Sequence, residues 1–316
     1  MNLKEYKCSP ILYLFYNRIE KTKLSFAIIK KIKPLKLYLA SDGPKNNDDK
    51  TKVNNVRNYI LKNIDWNCQV KKLFYKKNKG LKKGISNSIT WFFNNEKSGI
   101  ILEDDLLPEV SFFKYASELL KYYKTNKNIG MISGNNYVGS NLKASYYFSK
   151  YASCWGWATW SDRWKSYYDA DMKIWNDIKK NKNFFFLKKN ERPFIKLFDS
   201  VYKNKINTWD YQWLFAMLNN NLLQITPKVN LVANIGFGYG ATNTHSKTHW
   251  GANRVTSSIN FPLVHPKKTK ANIFFDTFYL NNLLFPSKFC SLKNKIKIFT
   301  KNLFKNKYFN LIIKSF

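Results

Sequence analysis

Apolar residues in the first third of the chain form short continuous runs, and these alternate with stretches of helical periodicity. Continuous runs are typical of strands buried on both faces, whereas a repeat of three to four residues is typical of a helix packed on a sheet. The pattern predicts strands at 11–16, 36–40, 69–74, 99–102 and 129–133 and helices at 48–62, 84–95 and 111–123. A further helix is predicted after the first strand, with Asn17 and Glu20 as its capping residues. This alternation predicts an α/β fold with a mostly parallel central sheet and helices on both faces.

The periodicity weakens after about residue 135. The segment 146–164 is rich in aromatic residues and contains glycine, and we interpret it as a lid or an acceptor region. From about residue 267, lysines alternate with apolar and aromatic residues, and the spacing over 293–305 predicts a basic amphipathic helix. The sequence therefore predicts a main domain over 1–265 and a basic helical tail over 266–316.

Composition narrows the class of protein. Of the 316 residues, 44% are hydrophobic and 17% aromatic, which excludes an intrinsically disordered chain. The four cysteines are scattered without C-x-x-C spacing, so neither a zinc site nor a disulfide framework is indicated, and a reducing compartment fits best. No apolar run approaches the roughly 18 residues of a membrane helix, and no signal-peptide layout is present. We expect a cytoplasmic protein that is soluble or peripheral on the membrane.

The charge is strongly positive, at +34, with 54 basic against 20 acidic residues. Such a field attracts nucleic acid, acidic lipid headgroups or phosphorylated substrates. Only five of the basic residues are arginines, the side chains that read guanine edges in pairs of hydrogen bonds, so sequence-specific DNA binding is disfavoured. The lysine excess also fits codon drift in an AT-rich genome, and charge alone does not select a partner.

Chemistry-bearing residues follow three of the predicted strands. They are Asn17 and Arg18 after the first, Asp42 and Gly43 after the second, and Glu103, Asp104 and Asp105 after the fourth. In an open parallel sheet the carboxyl ends of the strands meet at one edge, which is where ligands bind. We therefore expect these residues to lie together.

The three adjacent acids at 103–105 would repel each other in a closed space unless a cation neutralises them. Oxygen ligands favour Mg²⁺ or Mn²⁺, held by one or two carboxylates together with water and substrate phosphates. The alternative is a solvated turn, but the preceding buried strand and the scarcity of acids in the chain favour a function. Asp42 and Gly43 are alternatively only a turn, and Arg18 only a surface charge.

Eight segments resemble, in chain order, the nucleotide-sugar glycosyltransferases of GT-A fold, and among them bacterial relatives of the N-acetylglucosaminyltransferase I group. The segments are 16–18, 39–45, 78–81, 101–105, 132–134, 153–160, 209–213 and 230–238, within a span from 11 to about 245. The resemblance implies a Rossmann-like GT-A domain over 1–265, with a nucleotide-binding half at 1–135 and an acceptor-side half at 136–265. The tail has no counterpart in the resemblance.

The resemblance also implies roles for the residues at the strand ends. Asn17, Arg18, Asp42 and Gly43 would hold the nucleotide. Glu103 and Asp104 would face the nucleotide and the sugar, and Asp105 would ligate the metal that bridges the diphosphate. A metal neutralises a nucleoside diphosphate leaving group without a general acid.

Asp210 is the candidate base. Deprotonating an acceptor hydroxyl takes one carboxylate, and Asp210 lies among aromatic residues at the position where related inverting enzymes carry theirs. An inverting reaction follows from that role. The alternative is that Thr208 or Asp210 only caps the helix that follows.

Four residues are candidates for a wall against the sugar or the acceptor, and one histidine is a candidate at the metal. The wall residues are Trp155, Gly156, Trp157 and Trp209. Tryptophans are alternatively core residues, although a glycine between two of them suggests close backbone approach. His245 would reach the metal or the diphosphate from a C-terminal loop, or is alternatively a structural or exposed residue.

These observations predict a metal-dependent, inverting glycosyltransferase that moves a sugar from a nucleotide-sugar donor, with UDP favoured. The acceptor would be a glycan or a lipid-linked molecule in bacterial surface polysaccharide synthesis. The tail fits an anionic membrane surface, or is alternatively a solvated helix packed on the domain. Two other functions stay open: a metal-dependent phospho- or nucleotidyltransferase, and a non-enzymatic basic protein that binds membranes or nucleic acid. Acids at successive strand ends in an acid-poor chain favour an enzyme without a specific nucleic-acid partner.

Overall fold

Four parallel strands form the first half of the central sheet in the computed structural model, which describes residues 7–139, 142–182, 191–237, 251–252 and 254–285. They are β1 (Ile11–Phe15), β2 (Lys36–Ser41), β3 (Gln69–Phe74) and β4 (Ser98–Glu103). The helices that connect them are α1 (Ile19–Ile32), α2 (Asn47–Lys62) and α3 (Gly80–Asn95). The order β3-β2-β1-β4 puts β1 between β2 and β4, so the carboxyl ends of β1 and β4 are neighbours.

The second half of the sheet mixes strand directions. Its strands are β6 (Ile129–Ser133), β7 (Tyr146–Ser149), β8 (Trp157–Trp160) and β9 (Leu223–Pro227), and a separate two-stranded sheet pairs β5 (Leu106–Pro108) with β10 (Val232–Asn234). The helices are α4 (Val110–Tyr122), α5 (Ser161–Tyr167), α6 (Trp175–Lys180), α7 (Glu191–Tyr202), α8 (Asp210–Asn219) and α9 (Ile273–Tyr279), which continues into a π-helical turn at Leu280–Leu284.

Among the described residues, the central sheet has eight strands in the order β3-β2-β1-β4-β8-β6-β9-β7, and β7 and β8 run against the other six. Large apolar side chains cover both of its faces in two separate clusters. The α/β class with a mostly parallel central sheet flanked by helices is therefore confirmed. The sheet runs across residue 135 without a break, and the division of the main domain at that point stays a prediction.

Two local predictions at helix starts are wrong. Asn17 does not cap α1, because its side-chain amide donates to Asp49 at 2.5 Å and Arg18 occupies the cap position without a side-chain hydrogen bond. Helix α3 begins at Gly80, four residues before the predicted start. The Asp42 carboxylate accepts from the backbone N–H groups of Lys79 and Gly80, so a side chain distant in sequence provides the N-terminal hydrogen bonds.

The interpretation of 146–164 as a lid is wrong for the two strands within it. Strand β8 lies inside the sheet between β4 and β6, and β7 forms the edge beyond β9. All four residues of each strand are buried. Strands of only four residues are too short to be distinguished from other buried segments by periodicity.

The predicted tail is described only in part. Residues 266–285 contain α9 and the π-helical turn, whereas 286–316, which include the predicted amphipathic helix, lie outside the described residues. Within the described chain, no helix combines the length and apolar character needed to cross a bilayer.

Candidate active site

An arginine joins two of the three adjacent acids where β1 and β4 end. Glu103 pairs in register with Leu14, so the turn after β4 lies beside the residues after β1. The guanidinium of Arg18 forms an ion pair with Asp104, and its Nη1 lies 2.9 Å from Oδ2 of Asp105. Asp104 is fully buried and also accepts from the backbone N–H of Tyr16 at 3.1 Å. Asp104 is therefore a structural part of the strand ends, while Asp105 keeps an edge towards solvent.

Burial and charge act in opposite directions on these groups. Burial would lower the pKa of Arg18, but the charges of Asp104 and Asp105 together raise it above its ordinary value. Burial raises the pKa of Asp104 although Arg18 opposes it. Burial and then the charge of Asp105 raise the pKa of Glu103 well above its usual range. Glu103 has no ion pair among the described residues, so it has the least compensated negative charge of the three.

A cleft opens at this edge of the sheet, with about 730 Å³ of empty space when the adjoining open solvent is included. Its lining includes Arg18, Glu103 and Asp105, and we call these residues together with the buried Asp104 the acid wall. The lining also includes Trp155, Trp209, Asp210 and Phe237, which we call the aromatic wall. The charge of Asp210 adds to the rise in the pKa of Glu103, so the two walls interact electrostatically.

Asp210 is the first residue of α8. Its Oδ1 accepts from the backbone N–H of Tyr211 at 3.0 Å and from the Thr208 hydroxyl. Trp209 occupies the cap position of α8, which has no side-chain capping hydrogen bond, so neither Thr208 nor Asp210 caps the helix. Burial raises the pKa of Asp210, and the hydrogen bond from Thr208 opposes that rise. A carboxylate in this state is a stronger base than an exposed one.

The tryptophans divide between the cleft and the core. Trp155 lines the cleft, with its ring edge-on to Phe237 at a centroid distance of 5.6 Å. Trp157 is only 1% exposed and stacks behind Trp209 at 5.8 Å, so it supports the aromatic wall from the core instead of facing a ligand. Gly156 has φ +71°, and a Cβ there would lie 2.7 Å from a methyl group of Val232. The glycine thus permits the close backbone approach that turns one tryptophan outward and the next inward.

The end of β2 builds a loop beside the cleft. The Asp42 carboxylate accepts from the N–H groups of Gly43 and Lys79, both at 2.8 Å. A Cβ on Gly43 would lie 2.4 Å from the backbone carbon of Lys77, which requires glycine. Asn17 bonds to Asp49 at the start of α2. Among the described residues, the lining of the cleft includes none of Asn17, Asp42 and Gly43. His245 lies outside the described residues.

Sequence reasoning missed two features of the site. Lys21 follows Arg18 by one helical turn, and its Nζ is buried without a hydrogen-bond partner in the described part of the chain. Burial, and then the charge of Arg18, lowers its pKa, while Asp105 opposes the change. Gly236 packs against Asp105, since a Cβ there would lie 2.2 Å from Oδ2. The i, i+3 spacing from Arg18 is the one sequence signal that indicated Lys21.

Comparisons with known proteins give structural likenesses only. No protein-family model matches the chain, and no curated protein matches it in sequence. HddC from Yersinia pseudotuberculosis is similar over 51% of this chain and 81% of its own, at 10% identity and a TM-score of 0.32. The mannosyltransferase PcManGT from Pyrobaculum calidifontis, in complex with GDP-Man and Mn²⁺, is similar over 53% of this chain at 9% identity and a TM-score of 0.35. A UDP-glucose pyrophosphorylase complexed with UDP-glucose is similar over 44% of this chain and 62% of its own, at 13% identity and a TM-score of 0.25.

The chain spans about half the length of the mannosyltransferase, at 49%. Two of these proteins are described with a nucleotide sugar bound, and that is a property of those proteins. Likenesses this distant carry no argument about the activity of this chain.

Proposed function

We propose that the protein is a metal-dependent, inverting glycosyltransferase of GT-A type that uses a nucleotide-sugar donor, with UDP as the favoured nucleotide. The observation that carries the proposal is the cleft itself, in which the carboxylates of Glu103, Asp105 and Asp210 converge with Arg18 at the carboxyl ends of β1 and β4. Ligands in open α/β sheets bind at this edge. Acids are scarce in the chain, at 20 of 316 residues, and their convergence needs a chemical reason.

The residues fit a divalent metal held jointly with a substrate. Within the described chain, no cluster of three or more His, Cys, Asp or Glu side chains forms a metal cage. Mg²⁺ and Mn²⁺ do not need one, because one or two carboxylates suffice when phosphate oxygens and water complete the shell. Asp105 meets this requirement, since it lines the cleft and contacts Arg18 through one oxygen. When bound, the metal would neutralise charge on the diphosphate.

The cleft also needs cations from the protein. The acid wall and Asp210 bring four carboxyl groups against the one arginine, and a nucleoside diphosphate adds further negative charge. Arg18 would contact the diphosphate from its position between Asp104 and Asp105. The buried ammonium of Lys21 would add a second positive charge from the first turn of α1. The lowered pKa of Lys21 is the expected state of an ammonium that still lacks its anion.

Asp210 would remove the proton from the acceptor hydroxyl. The hydroxyl oxygen then forms a bond to the anomeric carbon of the donor sugar, and the bond from that carbon to the phosphate oxygen breaks on the opposite face. The electron pair leaves with the nucleoside diphosphate, and the configuration inverts. The Thr208 hydroxyl fixes the orientation of the Asp210 carboxylate, and Trp155 would supply an apolar surface for a sugar ring. Trp209 lines the cleft but is only 4% exposed, so it would contribute little of that surface.

The acceptor and the location of the protein belong to the same proposal. A glycan or a lipid-linked glycan in bacterial surface polysaccharide synthesis fits the aromatic wall. Residues Asn17, Asp42 and Gly43 would support the nucleotide through the loop that they build beside the cleft. His245 stays a candidate contact to the metal or the diphosphate.

Calorimetric titration tests the donor site. Wild-type protein is titrated with UDP, GDP and CDP, each with and without Mn²⁺. We expect one nucleotide to bind only with the metal, and we expect Asp105→Ala to abolish that binding. Asp65→Ala is the matched control, because Asp65 is an exposed acid paired with Lys30 and distant in sequence from the acid wall.

The same titration separates the rival functions. Absence of nucleotide binding by the wild type, together with tight binding to DNA or anionic vesicles, would refute the transferase. A nucleotidyltransferase would bind the nucleotide but would transfer a nucleotidyl group with Asp210→Asn still active. Product analysis with nucleotide sugars therefore accompanies the titration.

A further inference from the structure

Helix α9 exposes an apolar face next to a group of lysines. Ile273 is 70% exposed, Phe274 69% and Phe278 38%. Lys267, Lys268 and Lys270, in the segment that leads into the helix, are also exposed. We call these six residues the α9 patch. A group of large apolar side chains exposed together is more often an interaction surface than a surface without a function.

The opposite face of α9 is firmly attached to the protein. Phe275 packs on Tyr147 with ring centroids 4.4 Å apart. The Ser149 hydroxyl donates to Asp276 at 2.6 Å, and the Asn272 side chain accepts from the N–H of Phe275 at 3.3 Å as the helix cap. The exposed residues therefore sit on a fixed helix, and their contact with water does not come from fraying of the helix.

We propose that the α9 patch is a docking surface for an anionic lipid bilayer. The argument is charge complementarity combined with apolar exposure. From residue 267 to the end, the sequence has eleven lysines, and its single acid is Asp276, which is buried on the inner face. Each lysine near an anionic leaflet contributes about 1 kcal/mol of attraction, and the apolar side chains gain by entering the boundary between headgroups and acyl chains.

Nucleic acid as the partner would explain the lysines of the α9 patch but not its apolar residues. Phosphate contacts account for positive charge, but the isoleucine and the two phenylalanines of the patch would stay in water beside a duplex backbone. A bilayer surface uses both kinds of side chain at once. The lysines reach the headgroups while the apolar residues enter the acyl boundary.

The inner end of α9 leads to the cleft. Tyr279 stacks on Tyr137 at 5.9 Å, and Tyr137 lies edge-on to Trp155 of the aromatic wall at 5.8 Å. Docking through the α9 patch would therefore hold the aromatic wall near the membrane. This consequence for a lipid-linked acceptor rests on the proposed function, whereas the docking surface itself does not.

Vesicle sedimentation of the full chain tests the proposal. The probes are vesicles of phosphatidylcholine alone and vesicles that also contain phosphatidylglycerol. We expect the wild type to bind only the anionic vesicles. We expect the double variant Phe274→Ser, Phe278→Ser to bind them at least about tenfold more weakly, since each phenylalanine loses its transfer into the boundary. Replacing Lys267, Lys268 and Lys270 by Gln should weaken binding most at low salt, and its difference from the wild type should shrink as salt rises.

Leu24→Ser is the control, because Leu24 on α1 is 57% exposed and lies outside the α9 patch. It should bind vesicles like the wild type. Equal binding by the wild type and the phenylalanine variant, with an unchanged thermal midpoint, would overturn the proposal, and so would binding to duplex DNA but not to vesicles. Calorimetry with UDP and Mn²⁺ on the same preparations separates this result from failure of the proposed function.

Discussion

The two walls of the cleft are built on different physical principles. The acid wall follows from topology: two neighbouring parallel strands end together, and an arginine after β1 forms ion pairs with two carboxylates after β4. The aromatic wall follows from packing: Trp209 rests on the buried Trp157, and Trp155 turns outward across a glycine. Its single acid, Asp210, is held by a hydroxyl and a backbone N–H instead of by a cation.

Because of this difference, we expect substitutions in the two walls to have different effects on the stability of the protein and on its reaction. Removing Arg18 or Asp104 leaves a buried charge without its partner and should destabilise the protein as well as weaken nucleotide binding. Removing Asp210 leaves no ion pair broken, so the fold should survive while the reaction fails. Four substitutions test this contrast, beginning with the largest expected effect.

Asp210→Asn should lower kcat by about 10²- to 10⁴-fold while leaving nucleotide affinity unchanged. Asparagine keeps the hydrogen bond from Thr208 but cannot accept a proton from an acceptor hydroxyl. Because burial raises the pKa of Asp210, kcat of the wild type should fall with acidity at a higher pH than the ordinary aspartate value predicts. Steady-state kinetics over a pH series measure both effects.

Asp171→Asn is the matched control for that substitution, since Asp171 is an exposed acid that forms an ion pair with Lys82. Equal activity of Asp210→Asn and the control would exclude Asp210 as the base. A parallel loss of nucleotide binding would also count against the separation of the two walls.

Arg18→Ala should lower the free energy of unfolding at neutral pH by about 3–5 kcal/mol, because Asp104 is left buried without its cation. Removing Arg18 also removes what holds the pKa of Asp104 down, so this carboxyl becomes easier to protonate. A carboxyl with a raised folded pKa destabilises the protein as pH rises through that pKa. The variant should therefore regain part of its stability in acid, which urea unfolding at several pH values measures.

Lys30→Ala is the comparison, because it breaks an exposed pair with Asp65 and should change the free energy of unfolding far less than Arg18→Ala does. A loss of similar size in the two variants would mean that the ion pairs of the acid wall contribute no more than surface pairs do.

The acid wall could be predicted from sequence, and the aromatic wall only in part. The apolar runs of β1 and β4 are strong enough to predict both strands, and residues that follow neighbouring parallel strands lie at one edge of the sheet. The apolar pattern alone therefore predicted that Arg18, Asp104 and Asp105 lie together. The use of Arg18 as the counter-charge was not visible, because three adjacent acids suggested a metal alone. Asn17, Asp42 and Gly43 share the same topological signal, yet none of these described residues lines the cleft. The Asn17 side chain bonds to Asp49, the Asp42 carboxylate accepts from the backbone N–H groups of Gly43 and Lys79, and Gly43 packs against the backbone of Lys77.

The aromatic wall depends on tertiary contacts that leave no periodic signal. Strand β8 is four residues long and lies between β4 and β6, so its sequence could be read as a lid. Trp155 and Trp157 are two positions apart and are the same type of residue, but Trp155 faces the cleft and Trp157 faces the core. The directions of these two side chains depend on the positive φ of Gly156 and on its close contact with Val232.

Asp276→Asn tests a carboxyl on α9 that, like Asp210, has no ion pair among the described residues. Burial raises the pKa of Asp276 to about 6. Since the folded pKa lies above the unfolded value, this group's stabilising contribution is complete in acid and is lost as pH rises from about 4 to about 6. The wild type should lose up to about 3 kcal/mol across that window, and the variant should show a flatter profile. Urea unfolding from acid to neutral pH measures the slope.

Asp199→Asn is the control with the opposite sign. Although burial opposes it, hydrogen bonds from Lys179 and Trp175 hold the pKa of Asp199 below its usual value. Its contribution to stability is present at neutral pH and is lost as pH falls, so its replacement should reduce stability most at neutral pH. Identical pH profiles for the wild type and Asp276→Asn would show that burial of Asp276 carries no cost.

Trp155→Ala should have the smallest effect and the one most specific to the aromatic wall. Trp155 contributes an apolar surface at the cleft, and such a surface contributes about 1 kcal/mol to the binding of a stacked ring. We expect KM for the acceptor to rise about fivefold, with nucleotide affinity and kcat nearly unchanged. Tyr122→Ala, at an exposed aromatic residue on α4, is the control. If instead Trp155→Ala weakened nucleotide binding and left the acceptor KM unaltered, the donor would contact the aromatic wall, and the assignment of one substrate to each wall would be reversed.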